Sequence, residues 1–392
     1  MRILTFTSLY PNRVNPLQGI FIHQRVRHLA LRSGNSVEVI APVPYSPSWL
    51  PVSRWRQFSQ VPREEVIEGV CIRHPRYPLL PGISMLAHGM LMYLASLSLA
   101  RRLHGEQNFD CIDAHFVYPD GFAAVRLARD LGLPVVVSAR GTDINFYPSF
   151  RLIRPMLRWT LTHADGAIAV SIDLKNKMAA LGIPETRIQV ISNGVDTERF
   201  QLRDAKSARR QLGLSEEHFI AISVGSLIES KGHHLLIAAI AKLTERFPKL
   251  RLYVIGEGVW RAKLEELVRE RQLQQQVFLL GNRPNEELSL WFSAASISCL
   301  MSSREGWPNV VSEALACGTP VLATRVGGIP EIITSPELGM LVERKVDSIA
   351  AGMEQALTKA WNRKNIAQHS RSRSWDAVAA EVEAFLKSKV RR

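Results

Sequence analysis

Long apolar runs are missing from this chain. The most apolar window, Met85 to Ala100, contains His88 and is shorter than the ~20 residues needed to span a bilayer. A membrane-crossing helix is therefore not expected there. The opening stretch, MRILTFTSLYPN, lacks the charged start, apolar centre and cleavage site of a secretory leader, so the expected location is cytoplasmic. Cysteine is sparse as well. Cys71, Cys111, Cys299 and Cys317 lie far apart, without metal-ligand spacing and each in or beside an apolar run. Buried reduced thiols are the expectation. No segment is of low complexity, no repeat recurs at a solenoid period, and no run of five or six like charges occurs.

What is present is a soluble globular composition on a length that suits two domains. The chain has 392 residues, 46% of them hydrophobic and 22% charged, and one core rarely grows to that size. A formal net charge of +13 points to acidic partners: nucleic acid, an anionic membrane surface or phosphate-bearing small molecules. Nucleic acid is set aside, because no recognition-helix, zinc-finger or RNP signature accompanies the charge.

Short β-branched runs alternate with longer amphipathic stretches. RILTF, VEVIAP, CIDAHF, PVVVSA, GAIAVS and QVIS read as strands, and FIAISVG, RLYVIG, VFLLG, ISCLMS and TPVLAT repeat the pattern later. HHLLIAAIAKLTERF and WRAKLEELVRERQ read as helices between them. Such alternation predicts an α/β protein with parallel sheets covered on both faces. Two series predict two Rossmann-like doubly wound domains, residues 1–195 and 196–375, hinged near SNGVDTERFQ. The last amphipathic stretch, with Val378, Val382 and Phe385 at helical spacing, is expected to form a helix within 376–392. Open α/β sheets bind ligands beyond the carboxyl ends of their strands, so a cleft between the domains is the expected site.

The polar motifs fall at those strand ends. SSREGWPNVVSEALACG (302–318) sets Glu305 in a loop and Glu313 in the helix that follows. Asn309 is a plausible N-cap, leaving the amides of Val310 and Val311 at the positive end of the helix as an anion site. Helix electrostatics alone would explain acidic residues near this terminus. A ligand whose hydroxyls donate to the two carboxylates would explain them equally well. SVGSLIESKG places Gly225, Ser226 and Lys231 after another strand, and VIGEGVW and LLGNRP place Gly256, Gly258, Asn282 and Arg283 after two more. In the first half, PLQGIF supplies Gly19, DAHFVYPDG supplies His115, and SARGTDIN supplies Arg140, Gly141, Thr142 and Asp143. Taken singly, these are equally read as a surface lysine, a satisfied buried histidine and a local ion pair.

Together, Glu-x7-Glu with Gly-x-Pro-Asn inside it and Glu-Ala-x-Ala-x-Gly-x-Pro-Val behind it resembles the retaining glycosyltransferases of family 4. The likeness covers most of the chain and is strongest from Ile191 to Ile332. It implies the GT-B fold, with two facing Rossmann-like domains and a last helix crossing back onto the first. It also implies transfer of a hexose from a nucleoside-diphosphate sugar to a glycan or lipid-linked acceptor. On this likeness, Glu305 orients the donor hexose and Glu313 holds the ribose. Lys231, the Gly19 and Gly225 loops and the helix start at Asn309, Val310 and Val311 face the diphosphate, and Arg283 lies by the base. His115 and Asp143 would position hydroxyls, with Arg140 and Thr142 on the acceptor side. The family usually has an arginine where Ser226 stands and a second glycine where Gln18 stands. Asp-x-Asp does not occur, so no cofactor and no essential metal are implied.

The general look of LYPN, QGIFIHQ, YPDG and SARGTDI resembles the exopolysaccharide and teichuronic acid branch. An acceptor on a lipid would bring the enzyme to an anionic membrane face, through RWRQF, IRHPRYP and the window from Leu86 to Arg102. That window is otherwise an ordinary packed helix. Two rival readings meet this sequence. A nicotinamide-dependent oxidoreductase needs Gly-x-Gly-x-x-Gly after the first strand, where only Gly19 occurs. A catalytically impaired GT-B-fold binding partner at the membrane is favoured only by the missing arginine at Ser226.

Overall fold

The computed structural model describes residues 1–45, 57–78 and 85–390. Two compact units form: Met1–Asn193 together with the chain from Trp375 onward, and Gly194–Ser374. The division thus falls just before the expected 195/196 boundary, and Trp375 belongs with the first unit. Val195 explains the offset. It bridges Ser374 and donates its amide to the Arg373 carbonyl at 2.9 Å, so both crossings begin side by side within the second unit.

The first unit is built on an eight-stranded sheet. Its order is Ile188–Val190, Gly166–Ala169, Val135–Ala139, Cys111–His115, Arg2–Phe6, Ser36–Ile40, Val70–Arg73 and Glu64–Ile67. All pairings are parallel except the last, where Glu64–Ile67 runs antiparallel to Val70–Arg73. This edge hairpin departs from the wholly parallel expectation. Its turn, Glu68–Gly69, has positive φ at both residues, which suits a tight hairpin connection. A two-stranded parallel pair, Val43–Tyr45 with Arg76–Pro78, lies outside the main sheet. The core packs Ile3, Val39, Ile72 and Val136 against Val26 and Leu29 of the helix Ile20–Leu31, and against Val378, Val382 and Leu386. Those last three come from the helix Trp375–Lys387, whose apolar stripe is thereby buried on the first unit.

The second unit has a six-stranded parallel sheet, ordered Val277–Gly281, Leu250–Ile255, Phe219–Val224, Ile297–Leu300, Val321–Thr324 and Gly339–Val342. Successive side chains alternate between its faces, as a pleat requires. Ile220 and Ile222 join Tyr253, Trp291, Phe292 and Leu315 on one side. Ala221, Leu252 and Val254 join Leu236, Ile240 and Met353 on the other. Both faces are dry, hence the continuous apolar runs in the sequence. Cys111, Cys299 and Cys317 are free and buried, and Cys71 is free and half-buried. Among the described residues no helix is long and apolar enough to cross a membrane.

Candidate active site

Among the parallel strands of each sheet the order reverses at one place, and such a switch point is where open α/β sheets leave a ligand crevice. In the second unit it lies between Phe219–Val224 and Ile297–Leu300, which pair in parallel. The loops leaving these two strands carry Lys231 and Glu305. Lys231 Nζ donates to Glu305 Oε1 at 2.6 Å, and Ser302 Oγ donates to the same oxygen at 2.6 Å. Glu305 is largely buried, with 10% of its side chain exposed, and Lys231 retains 25%. An ammonium has three donors, and this contact uses one.

Main-chain contacts fix the two loops to each other. Ser303 N donates to Ser230 O at 2.8 Å, and Arg344 donates to Met301 O and Glu229 O at 3.1 Å each. His233, which the sequence reading did not single out, is buried beneath them. Its Nδ1 meets Ser223 Oγ at 3.1 Å and its Nε2 meets Ser226 O at 3.3 Å. Burial pushes its pKa down to about 4, so the ring is neutral at pH 7 and holds the Ser226 loop by hydrogen bonds. Gly256 serves the same loop sterically. A Cβ there would sit 2.0 Å from the Gly225 carbonyl oxygen.

Two expectations for the following helix, Asn309–Ala316, need correction. Pro308 occupies the cap position, with no side-chain cap, and Asn309 is the first helical residue rather than the N-cap. The Val311 amide donates to Pro308 O at 3.0 Å, so it is committed within the turn, while Val310 lies in that first turn. Glu313 is partly buried on this helix. Desolvation pushes its pKa up to about 7; Arg199 opposes the rise and Asp196 adds to it. Arg283 is half-buried beyond Val277–Gly281, and its Nε has no hydrogen-bond partner among the described residues.

In the first unit the order reverses between Arg2–Phe6 and Cys111–His115. Gly19 stands at the start of the helix Ile20–Leu31 with φ 64°, and a Cβ there would lie 2.2 Å from the Leu9 carbonyl oxygen. Its lack of a side chain is thus needed by the protein's own backbone. Asp120, also missed, is buried and accepts from the Ser8 amide, tying the first loop to the YPDG turn. Burial pushes its pKa up to about 7.

His115 and Asp143 were expected to face hydroxyls, and the structure turns both inward. His115 is fully buried; Arg140 Nε donates to its Nδ1 at 3.2 Å and Asp113 Oδ2 lies 3.3 Å from its Nε2. With Nδ1 accepting, the ring proton belongs on Nε2. Burial is the main cause that pushes the pKa down to about 3. Asp113 is in turn held by Arg25, which donates at 2.7 and 2.9 Å and also reaches Ser138 Oγ at 3.0 Å. Asp143 accepts from the amides of Val117, Arg140 and Gly141 at 2.9, 3.1 and 2.8 Å. It is a backbone clamp. Arg140 does not pair through its guanidinium with Asp143; Nη1 donates to Asn193 Oδ1 at 2.9 Å. Thr142 is exposed at the start of the short helix Thr142–Asn145.

Two doubly wound domains, each with polar loops at its switch point, are the architecture of the GT-B class of glycosyltransferase. The fold is shared with the sucrose-phosphate synthase (tll1590) of Thermosynechococcus elongatus, at TM-score 0.82 and 20% identity over 99% of this chain and 98% of that one. Anabaena Alr3699/HepE, solved in complex with UDP and glucose, follows at TM-score 0.74 and 18% identity over 99% of each chain. A family model described as Glycosyltransferase Family 4 matches residues 18–199, and one described as Glycosyl transferases group 1 matches residues 204–373. Between them the two models span nearly the whole chain, which is a glycosyltransferase whose first half matches family 4 and whose second half matches group 1. A relative named as a teichuronic acid biosynthesis glycosyltransferase, TuaC of Bacillus subtilis (strain 168), is 28% identical over 355 residues. That alignment covers 89% of this chain and 87% of the relative.

Proposed function

We propose that this glycosyltransferase moves a hexose, with retention of anomeric configuration, from a nucleoside-diphosphate sugar to a glycan or lipid-linked acceptor. The pathway proposed is cell-envelope or exopolysaccharide synthesis, at the inner face of the cell membrane. The observation that carries the reading is the Lys231–Glu305 contact of 2.6 Å at the switch point of the second unit. It sets a cation and a carboxylate side by side, as a diphosphate beside a sugar ring requires. The names of TuaC and HepE support the pathway and the donor class respectively.

In this mechanism the acceptor hydroxyl attacks the anomeric carbon on the face the diphosphate leaves. The carbon–oxygen bond to phosphate breaks, and the departing phosphate oxygen takes the hydroxyl proton. No enzymic nucleophile is required. Lys231 and the first turn of Asn309–Ala316 stabilise charge on the leaving group. Glu305 orients the hexose, Glu313 accepts from the ribose, and Arg283 lies towards the base. Thr142 is offered to the acceptor, while His115, Arg140 and Asp143 shape the strand ends behind it.

A thermal-shift screen against UDP, GDP and ADP sugars tests the donor assignment. Saturation at 100 times the dissociation constant adds ~2.7 kcal/mol of stability, and no shift with any of them would refute the assignment. Anomeric configuration of the product, read by NMR, tests retention. Turnover is expected to survive EDTA; complete loss restored by Mn²⁺ would mean that the leaving group is stabilised by a metal.

A further inference from the structure

Both arms of the edge hairpin and one face of a following helix converge on one groove of the first unit. It measures about 390 Å³ and is lined by Arg63, Arg73, Arg76 and Arg102, with His74 and Glu64 among its other walls. The fold causes the convergence. Glu64–Ile67 pairs with Val70–Arg73, and His74 N donates to Arg63 O at 2.8 Å. The helix His88–Gln107 meets Arg76–Pro78 through Tyr77, whose hydroxyl lies 2.7 Å from His88 Nε2, and the same helix brings Arg102.

The charges of this groove do not balance within it. Arg73 is neutralised by Glu38 and, at 3.4 Å, by Glu64. Among the described residues Arg76 donates only to main-chain carbonyls, those of Phe58, Ser59 and Val61, which orient a guanidinium without cancelling its charge. Burial and the neighbouring charge of Arg63 both work against its ionisation. Among the described residues the only ion pair of Arg102 is a long exposed contact, 3.8 Å, to Glu106. Among the described residues Arg63 forms no ion pair. Like charges gathered in this way repel unless an anion joins them. Planar guanidinium forks match phosphate oxygens best.

We propose that this groove is a binding site for a phosphate group. A lipid headgroup is the source that the surroundings favour. The same helix exposes 58% of Leu94, one residue before the groove-lining Ala95, and no acidic residue occurs from Met85 to Gly105. An exposed apolar side chain on a stretch that carries arginines and no acid is what an anionic lipid surface retains. Of the stretches expected to meet a membrane, IRHPRYP and the end of the 86–102 window meet here. In RWRQF, residues 54–56 lie outside the described residues.

The test needs no sugar donor, so it stands apart from the proposed reaction. Full-length protein is sedimented with vesicles of phosphatidylglycerol and phosphatidylcholine, and with vesicles of phosphatidylcholine alone. Inorganic phosphate is titrated separately by calorimetry. The variant is Arg63→Glu/Arg102→Glu, both exposed positions, with Arg63→Gln/Arg102→Gln in reserve should charge reversal lower the thermal midpoint. Lys364→Glu/Arg371→Glu, on the second unit, matches the change in net charge. A headgroup site predicts binding at least tenfold tighter to anionic than to neutral vesicles, weakened at least tenfold in the variant and within threefold of normal in the control. Inorganic phosphate binding that the variant loses, with vesicle binding unchanged, supports the site with a soluble phosphate as its ligand. If wild type and variant bind vesicles and phosphate alike, the proposal is overturned.

Discussion

Lys231 and Glu305 depend on each other at the residue scale. Glu305 keeps little exposure and shares one oxygen between Lys231 and Ser302. Removing Lys231 therefore strips a cation from the proposed diphosphate site and leaves a largely buried carboxylate short of its partner. Lys231→Ala is expected to lower kcat/KM by a factor on the order of 10²–10³, equivalent to ~2.7–4 kcal/mol. Ser226→Ala should be far milder, since the loop there is held by its carbonyl through His233. Near-normal transfer by Lys231→Ala would contradict the diphosphate assignment. Glu313 allows a different test. With its pKa pushed up to about 7, it becomes an acceptor-only carboxylate as pH rises through that value. Nucleotide affinity should accordingly rise from pH 6 to pH 8 in the wild type. In Glu313→Gln that rise should be lost; an identical profile in both would remove Glu313 from the ribose. That Lys231 and Glu305 stand in loops after strands was legible, because recognisable strands precede both. Arg25 and Asp113 were not. They stand 88 residues apart, and nothing in HQRVRHL marks its buried arginine.

Elements with an apolar face on dry protein were the ones the sequence disclosed. Every strand expected in either half forms, because each supplies a β-branched run to a covered sheet. The Glu64–Arg73 hairpin and the short pair Val43–Tyr45 and Arg76–Pro78 were missed. The first has alternate residues in water and only four residues per strand, and the second has three residues per strand. Periodicity is weak at that length. The helix Trp375–Lys387 shows how packing, not propensity, sets an element's worth. Leu386 is fully buried against the first unit, and Glu383 is held by Arg32 and Lys387, whose hydrogen bonds pull its pKa down to about 2. Leu386→Ala should cost ~2–5 kcal/mol, measured as a lower urea midpoint for the first unit. A loss under ~1 kcal/mol would mean that the helix is dispensable to that core.

Across the whole molecule, buried titratable groups pull stability in opposite directions. His88, His115 and His233 are pushed down to about 4, 3 and 4. Each contributes stability that is fully present above the unfolded value of 6.5 and is lost as pH falls towards its folded value. Asp120 and Glu313 are pushed up to about 7. Their contribution is fully present below the usual carboxylate range and is lost as pH rises through 7. Between pH 4.5 and 6.5, three protons are thus set against two, and much of the dependence cancels. Single substitutions separate them. The stability gap between wild type and His233→Gln should shrink as pH falls from 6.5 to 4.5, by up to ~1.4 kcal/mol per pH unit. For Glu313→Gln the gap should shrink as pH rises over the same range. Parallel denaturation curves at every pH would show that neither group is shifted by burial.

The sequence by itself determined the two α/β series, their division near residue 194, the strand-end loops that hold Lys231 and Glu305, and the helix that carries Glu313. These follow from periodicity and from residue types read a few positions apart, which is information local to the chain. Tertiary structure decided the rest. Long-range pairing turned His115 and Asp143 inward, spent Arg140 on His115 and Asn193, and placed Pro308 rather than Asn309 at the helix cap. It also drew Arg63, Arg76 and Arg102 onto one groove. Whether a polar side chain faces a ligand or its own backbone depends on which distant groups the fold brings within 3 Å of it, and no spacing along the chain encodes that distance.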